Sequence, residues 1–281
     1  MKGHKKKSLP KIVGLNVVFV LLSLLALLPI LYALKVSLNA QNSILTTGFS
    51  LLPEQVTLDH YKTVLFEKPF LTWLKNSALL SIVTVVFSLC VAIPGAYAFS
   101  RFRFPGRKAT LYILLMLNAF PAILSMFATY RILKLLGLIN SGIGLIVVYA
   151  GTMAIFGIWN MKGYFDSIPI EIEEAAQIDG AGDFEIIRSI VLPLATPSII
   201  VTAVMTLIYV WNEYVFAVQF LTGAENYTLA TGLYSLQATE YTRNWPLFSA
   251  ASILVSLPVL IVFYIIQKYM VSGLTAGGVK S

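Results

Sequence analysis

Six stretches of apolar residues divide this chain: Ile12 to Leu34, Leu74 to Phe99, Ala109 to Tyr130, Leu138 to Asn160, Ser198 to Ala217 and Phe248 to Met270. Each is close to the roughly 20 residues that a helix needs to cross the hydrocarbon core of a bilayer. Inside that core no water is available to backbone N–H and C=O groups, so a spanning segment must close its own hydrogen bonds as a helix. The expected fold is therefore an all-α membrane protein of six transmembrane helices, with residues 12–270 as the membrane domain between a terminus at 1–11 and a tail at 271–281. Only 12% of the residues are charged and the mean hydropathy is +0.81. A soluble domain carries about twice that charged fraction.

An even number of spans puts both termini on one side. Lys2, Lys5, Lys6, Lys7 and Lys11 precede the first span, and Arg101, Arg103, Arg107 and Lys108 follow the second. Basic residues concentrate on the cytoplasmic side of membrane proteins, so both termini are expected in the cytoplasm. Lys35, Lys62, Lys68 and Lys75 oppose this weakly from the other side. The formal charge of +7 is thus explained by orientation, and nucleic acid is not needed as a partner. The first apolar run is longer than the core of a signal peptide and is expected to stay attached as a span. Cys90 is the only cysteine and lies within an apolar run, where it reads as a core residue, and neither a disulfide framework nor a metal cluster is expected.

The segment from Ser167 to Pro197 is the one long polar island. Ser167 is a candidate N-cap, Pro169 suits a first turn, and Glu171, Glu173 and Glu174 favour a helix N-terminus. Ala175 and Ala176 continue a short helix, and Gly180 and Gly182 suit the turn that ends it. Asp183 can cap a second helix with Phe184, Ile187, Ile190 and Val191 as its apolar face, broken by Pro193 and Pro197. Asp166, Glu171, Glu173, Glu174, Asp179, Asp183 and Glu185 face only Lys162 and Arg188 here. An acidic face is repelled by anionic headgroups, which points to a protein with a basic groove, although a solvated connector has the same charge pattern.

Polar groups inside the spans are the other candidates. Ser77, Ser81, Thr84 and Ser88 share one helical face, which is either a pore lining or a small-residue packing face. Gly142, Gly144, Gly151 and Gly157 suit close helix packing, and Pro94 and Pro121 suggest kinks. Glu213, within Tyr209-Val210-Trp211-Asn212-Glu213-Tyr214, is the one carboxylate inside a span. It stands roughly 24 Å along the helix from Pro197. It is a candidate for a substrate path with Tyr209 and Asn212, for an ion pair with another subunit, or for a coupled proton. The last outer loop carries Asn226, Tyr227, Tyr234, Gln237, Tyr241, Arg243, Asn244 and Trp245, suited to sugar or protein contact or to an interfacial aromatic belt.

Some chemistries are absent from the sequence. It contains no G-x-x-x-x-G-K-[ST] phosphate cradle, no G-x-S-x-G and no H-E-x-x-H, and His4 and His60 stand apart. ATP hydrolysis and other enzymatic chemistry, a cofactor and a metal are not expected of this chain.

Glu174-Ala175-Ala176, then Gly180-Ala181, then Ile190, Leu192 and Pro193, resemble the EAA loop in the membrane subunits of ABC importers. The six spans, Trp211-Asn212-Glu213-Tyr214, the run from Asn226 to Ala230 and the closing segment from Ser272 to Ser281 extend the resemblance to carbohydrate importers. The pattern is most similar to the second membrane subunit of maltose and maltodextrin systems.

That resemblance implies a permease of the bacterial cell membrane that pairs with a sister permease, two copies of an ATPase, and a sugar-binding protein outside. It implies that the helix at Ile170 to Ile178 is a coupling helix seated in the ATPase, with Glu174 meeting a basic residue there and Gly180 holding the turn. It sends the glycine-rich tail from Gly273 to Gly278 toward the ATPase pair, against the simpler expectation of a frayed terminus. It brings the loop with Asn226, Tyr227, Tyr234 and Gln237 to the binding protein. Another oligosaccharide competes with maltodextrin as cargo. An ion-coupled carrier using Glu213, or a membrane scaffold, are readings from other classes. The short first outer segment and lysine-rich N-terminus suggest a Gram-positive setting.

Overall fold

The computed structural model describes residues 9–42, 53–237 and 244–278, with side chains described for 12–42, 53–237 and 244–267. The basic cluster before residue 8, Tyr241, Arg243 and the last three residues lie outside the described residues. Among the described residues all regular structure is helical, apart from one isolated antiparallel bridge between Asn39 and Val56.

The chain divides into two compact units. The first comprises Met1–Lys68 and Ser235–Leu254. In it α1 (Leu9–Ser37) runs through Pro29 as one helix. Its residues from Ile12 to Leu31 are exposed, an apolar surface suited to lipid or to another membrane helix. Ser37 Oγ lies 2.7 Å from Tyr61 Oη, and the His60 Nε2 meets the Asn39 carbonyl at 2.9 Å. These bonds fold α2 (Asp59–Lys62) and the π-turn Thr63–Glu67 back onto the end of α1.

The second unit comprises Pro69–Tyr234 and Val255–Ser281 and holds α3 (Phe70–Arg101), α4 (Arg107–Ala119), α5 (Ala122–Leu135) and α6 (Gly142–Phe165). After these come α7 (Ile170–Ile178), α8 (Asp183–Ile186), α9 (Leu192–Asn212), α10 (Val215–Phe220) and α11 (Leu229–Ser235). The last helix, α12 (Trp245–Gly278), continues through the glycine-rich tail, where fraying was the simpler expectation.

Among the described residues five helices are long and apolar enough to cross a membrane, and α4 with α5 passes the same test only as a pair bent by 95°, the form of a broken span or a re-entrant loop. Pro121 is the cause: it stands at the break, where a proline supplies no N–H to the preceding turn. The expected third span is therefore an elbow, and α5 runs past the expected span end at Tyr130 to Leu135.

The core of this unit is α3, α6 and α9, and it is built from small residues. A Cβ on Gly157 of α6 would stand 2.7 Å from the Ala92 Cβ and 3.1 Å from the Thr202 Cγ2, so three helices meet there at close range. Asn160 Nδ2 donates to Thr202 Oγ1 at 2.8 Å beside that contact. Gly142 and Gly151 face open space, so only part of the glycine row serves packing. Lipid is as apolar as leucine, so burying large apolar residues gains little and close backbone approach decides which face turns inward. Accordingly α3 buries Ser77, Ser81, Thr84 and Ser88 and exposes Leu79, Ile82, Val86, Phe87 and Val91. Cys90 follows the same rule: it is exposed and is not a core residue.

Candidate functional site: the α7 segment and its clamp

The polar island folds as helix, turn, helix, but its caps and its second helix differ from the simple reading. Ser167 does not cap α7; its Oγ donates back to the Tyr164 carbonyl at 2.6 Å, and Pro169 holds the N-cap position. Asp183 likewise lies in the first turn of α8, with Gly182 before it. Gly180 takes φ +91°, where a side chain would be strained, and turns the chain as its residue type requires.

Pro193 and Pro197 do not break the second helix. A π-turn, Ile187–Val191, precedes them, and the helical run continues from Asp183 to Asn212. Bonds from residue i to i+5 widen the turn, which accommodates a proline that lacks an N–H. The extra residue also rotates the buried face: Ile186 and Val191 are enclosed, while Phe184 is 75% exposed.

Two adjacent glutamates on α7 differ in burial. Glu174 is exposed, as are Ala175 and Gly180, with Ala176 and Leu192 half-buried and Pro193 exposed. Glu173 is 4% exposed and points inward. Its Oε1 accepts from Arg101 Nε at 2.6 Å and its Oε2 from Tyr97 Oη at 2.9 Å. Arg101 also donates from Nη2 to the Ile168 carbonyl at 3.0 Å and from Nη1 to Ser100 Oγ at 3.2 Å. Ser100 Oγ in turn donates to Asp166 Oδ1 at 2.7 Å, while Lys162 Nζ meets Asp166 Oδ2 at 2.6 Å. Burial pushes the Asp166 carboxyl up, but the Lys162 ammonium and the Ser100 hydroxyl outweigh it and hold it below the ordinary carboxylate range.

Three residues at the end of α3 thus grip the end of α6 and the inner face of α7. Arg101 closes α3, where a cation also suits the negative end of the helix dipole. Sequence alone counted Arg101 only toward orientation, and Glu173 only toward a helix N-terminus and the acidity of the segment. The available signal was spacing: Tyr97 and Arg101 are four residues apart and share a face, whereas neighbouring Glu173 and Glu174 stand about 100° apart around α7.

Glu213 marks another functional candidate. Helix α9 ends at Asn212, short of the expected span end at Ala217, and α10 begins at Val215 after two intervening residues. Glu213 supplies the missing turn: Oε1 accepts from the Phe216 N–H at 2.9 Å, and Oε2 accepts from the Ala217 N–H at 3.2 Å and from the Tyr149 hydroxyl. Both oxygens are engaged, so the carboxylate caps a break in the helix. Tyr209 packs edge-on against Tyr149 with centroids 6.1 Å apart, and Asn212 is exposed with its amide on the Ile208 carbonyl. Ser81 and Thr84 lie enclosed, and among the described residues their hydroxyls have no hydrogen-bond partner.

At the far end of α6 the segment after α10 is sewn to the starts of α3 and α6. Trp73 Nε1 donates to the Ala224 carbonyl at 2.8 Å, Asn76 Nδ2 to the Glu225 and Tyr227 carbonyls, and the Leu229 N–H to Ser77 Oγ at 2.8 Å. Asn140, in the left-handed conformation at φ 57°, accepts from the Thr222 N–H and from Asn226 Nδ2. A cavity of about 220 Å³ remains among Asn76, Leu80, Leu145, Asn226 and Thr228. Tyr227 is half-buried, Tyr234 is exposed and packs at a tilt of 49° against Tyr214 with centroids 4.9 Å apart, and Gln237 is half-buried.

Residues 88–275 match the family of binding-protein-dependent transport system inner membrane components. The galactooligosaccharides transport system permease protein GanQ of Bacillus subtilis is 37% identical over 268 residues, covering 93% of this chain and 94% of that protein. The maltodextrin transport system permease protein MdxG of the same organism is 35% identical, covering 92% and 93%. Among solved structures, a chain of a bacterial ABC transporter involved in the import of the acidic polysaccharide alginate aligns with a TM-score of 0.79 at 29% identity, covering 95% of this chain and 99% of that one. The chain belongs to the binding-protein-dependent transport system inner membrane component family and is a multi-pass, non-catalytic permease subunit of an ABC sugar importer.

Proposed function

We propose that this permease imports a neutral oligosaccharide, maltodextrin first, together with a sister permease, two copies of an ATPase and an external sugar-binding protein. The carrying observation is the outer face of the α7 segment. Ile178 is 87% and Phe184 75% exposed there, beside exposed Glu174, Ala175 and Gly180. Exposed apolar side chains gain nothing from water, and the acids around them are repelled from anionic lipid, so a protein with a basic-rimmed apolar cleft fits both. Glu174 then makes a charge-assisted contact with a basic group of the ATPase, the two alanines permit close approach, and Gly180 keeps the turn rigid. With α7 on the ATPase side, both termini are cytoplasmic, and the Asn226, Tyr227, Tyr234 and Gln237 region faces the binding protein. Tyr209, Asn212 and Glu213 stand toward that outer end of the route, and Ser81 and Thr84 lie within the helix core beside it.

A galactooligosaccharide is the second reading for the cargo, favoured by the relative at 37% identity. Reconstituted complexes, driven by binding proteins loaded with one sugar or the other, separate the two. Maltodextrin is expected to raise ATP hydrolysis and to be taken up; stimulation by the galactooligosaccharide alone discards it. Glu174→Lys is expected to insert normally and to lose the ATPase on co-purification. Wild-type uptake in that variant removes α7 as the docking element.

A further inference from the structure

We propose that Glu173 and Arg101, supported by Tyr97, are positioning residues that make α7 and the end of α3 move as one body, so that ATPase motion reaches the core helix α3. The inference rests on α7 being the element that docks the ATPase. Helices α6 and α9 are joined to the α7 segment by the chain itself, whereas α3 leaves in the other direction through Phe102 toward α4. Whatever α7 passes to α3 therefore crosses non-covalent contacts. Among the described residues the Arg101 to Glu173 pair is the one ion pair between these two helices. Its side chains are only 10% and 5% exposed, so water neither screens the attraction nor substitutes for either partner. The contact is also directional. Glu173 is held through both oxygens and Arg101 through Nε, Nη1 and Nη2, which fixes sliding as well as separation.

α3 is a productive place to deliver that motion. It packs against α6 and α9 through Ala92 at the Gly157 contact, and at its other end Trp73, Asn76 and Ser77 hold the segment from Ala224 to Leu229. A displacement delivered at Arg101 is thereby carried along one helix to the opposite end of the unit. Adjacent glutamates on α7 divide the work: Glu174 faces outward and Glu173 inward.

The test separates docking from transmission by measuring three quantities on one reconstituted complex: ATPase retained on co-purification, ATP hydrolysis, and sugar moved per ATP. Glu173→Gln is nearly isosteric and removes the charge. It is expected to retain the ATPase fully and to hydrolyse ATP within about twofold of wild type, while sugar per ATP falls at least tenfold. A purely structural staple would lower assembly and hydrolysis together and leave the ratio unchanged, and that result overturns the proposal. Failure of the docking reading shows up separately, as ATPase retention that is indifferent to Glu174→Lys.

A second construction removes dependence on the folding of one variant. With Cys90→Ser clearing the exposed native thiol, Arg101→Cys and Glu173→Cys are joined by a short bismaleimide. Sugar per ATP is expected to be low before bridging and to recover severalfold after it. A bridge that leaves transport unchanged shows that the α7 to α3 link does not carry the coupling, and one that abolishes it shows that α7 must move relative to α3; either result overturns the proposal.

Discussion

Arg101 Nε lies 2.6 Å from Glu173 Oε1, joining the last residue of one membrane helix to a short helix 72 positions further along the chain. The pair is nearly enclosed, so its partners cannot be separated without stranding a charge. Glu173→Ala leaves the guanidinium without its counter-ion and is expected to cost about 3–5 kcal/mol, most of it desolvation of the unpaired charge. Thermal unfolding of the purified complex should show a clear fall in Tm. An unchanged Tm would mean that water reaches Arg101 freely.

The α3, α6 and α9 junction makes an equally specific prediction. At Gly157 an added Cβ meets the Ala92 Cβ at 2.7 Å, and a Cβ cannot rotate away. Gly157→Ala is expected to destabilise by about 1–3 kcal/mol through overpacking. Gly151, which faces open space, is the internal control. Gly151→Ala should be neutral or slightly stabilising, since alanine is the better helix former.

Glu213 acts here through the backbone N–H groups of Phe216 and Ala217 and the Tyr149 hydroxyl. Glu213→Ala is expected to cost about 1–2 kcal/mol, the usual range for losing a cap. Tyr149→Phe should weaken the same region by about 1 kcal/mol. If the carboxylate served an ion gradient instead, uptake at constant ATP would collapse with an ionophore; the expected result is that it does not.

The Asp166 carboxyl is held below its ordinary range by Lys162 and Ser100 despite burial. A depressed folded-state pKa contributes stability above the unfolded value, and that contribution is lost as pH falls through the folded value. The unfolded value for aspartate is near 3.9. Asp166→Asn should therefore lower Tm by the same amount at pH 5.5 and pH 7.5, with the gap closing only below about pH 4. A gap that changes between pH 5.5 and pH 7.5 would show that another group titrates against Asp166.

What the amino-acid sequence determined by itself follows from rules with little freedom. Apolar runs near 20 residues must be helices in lipid, which made the all-α membrane fold and its approximate spans legible. The order Glu174-Ala175-Ala176, Gly180, Ile190, Leu192, Pro193 was enough to mark the segment between α6 and α9, because turn glycines and helix formers act through neighbouring residues.

What only the tertiary structure decided depends on which face of each helix turns inward, and hydropathy says little about that when lipid and protein interior are equally apolar. Hence Cys90 is exposed, Ser77, Ser81 and Ser88 of α3 are enclosed, and a π-turn rotates the face of α8 and carries the helix past two prolines. The same reason hid the roles of single residues. Glu213 looked like a charge in a membrane until the break between α9 and α10 made it a cap, and Glu173 looked like one more acid until α3 brought Arg101 beneath it. Partners separated by 64 to 76 positions meet only when helices pack, and no local pattern of residues encodes that meeting.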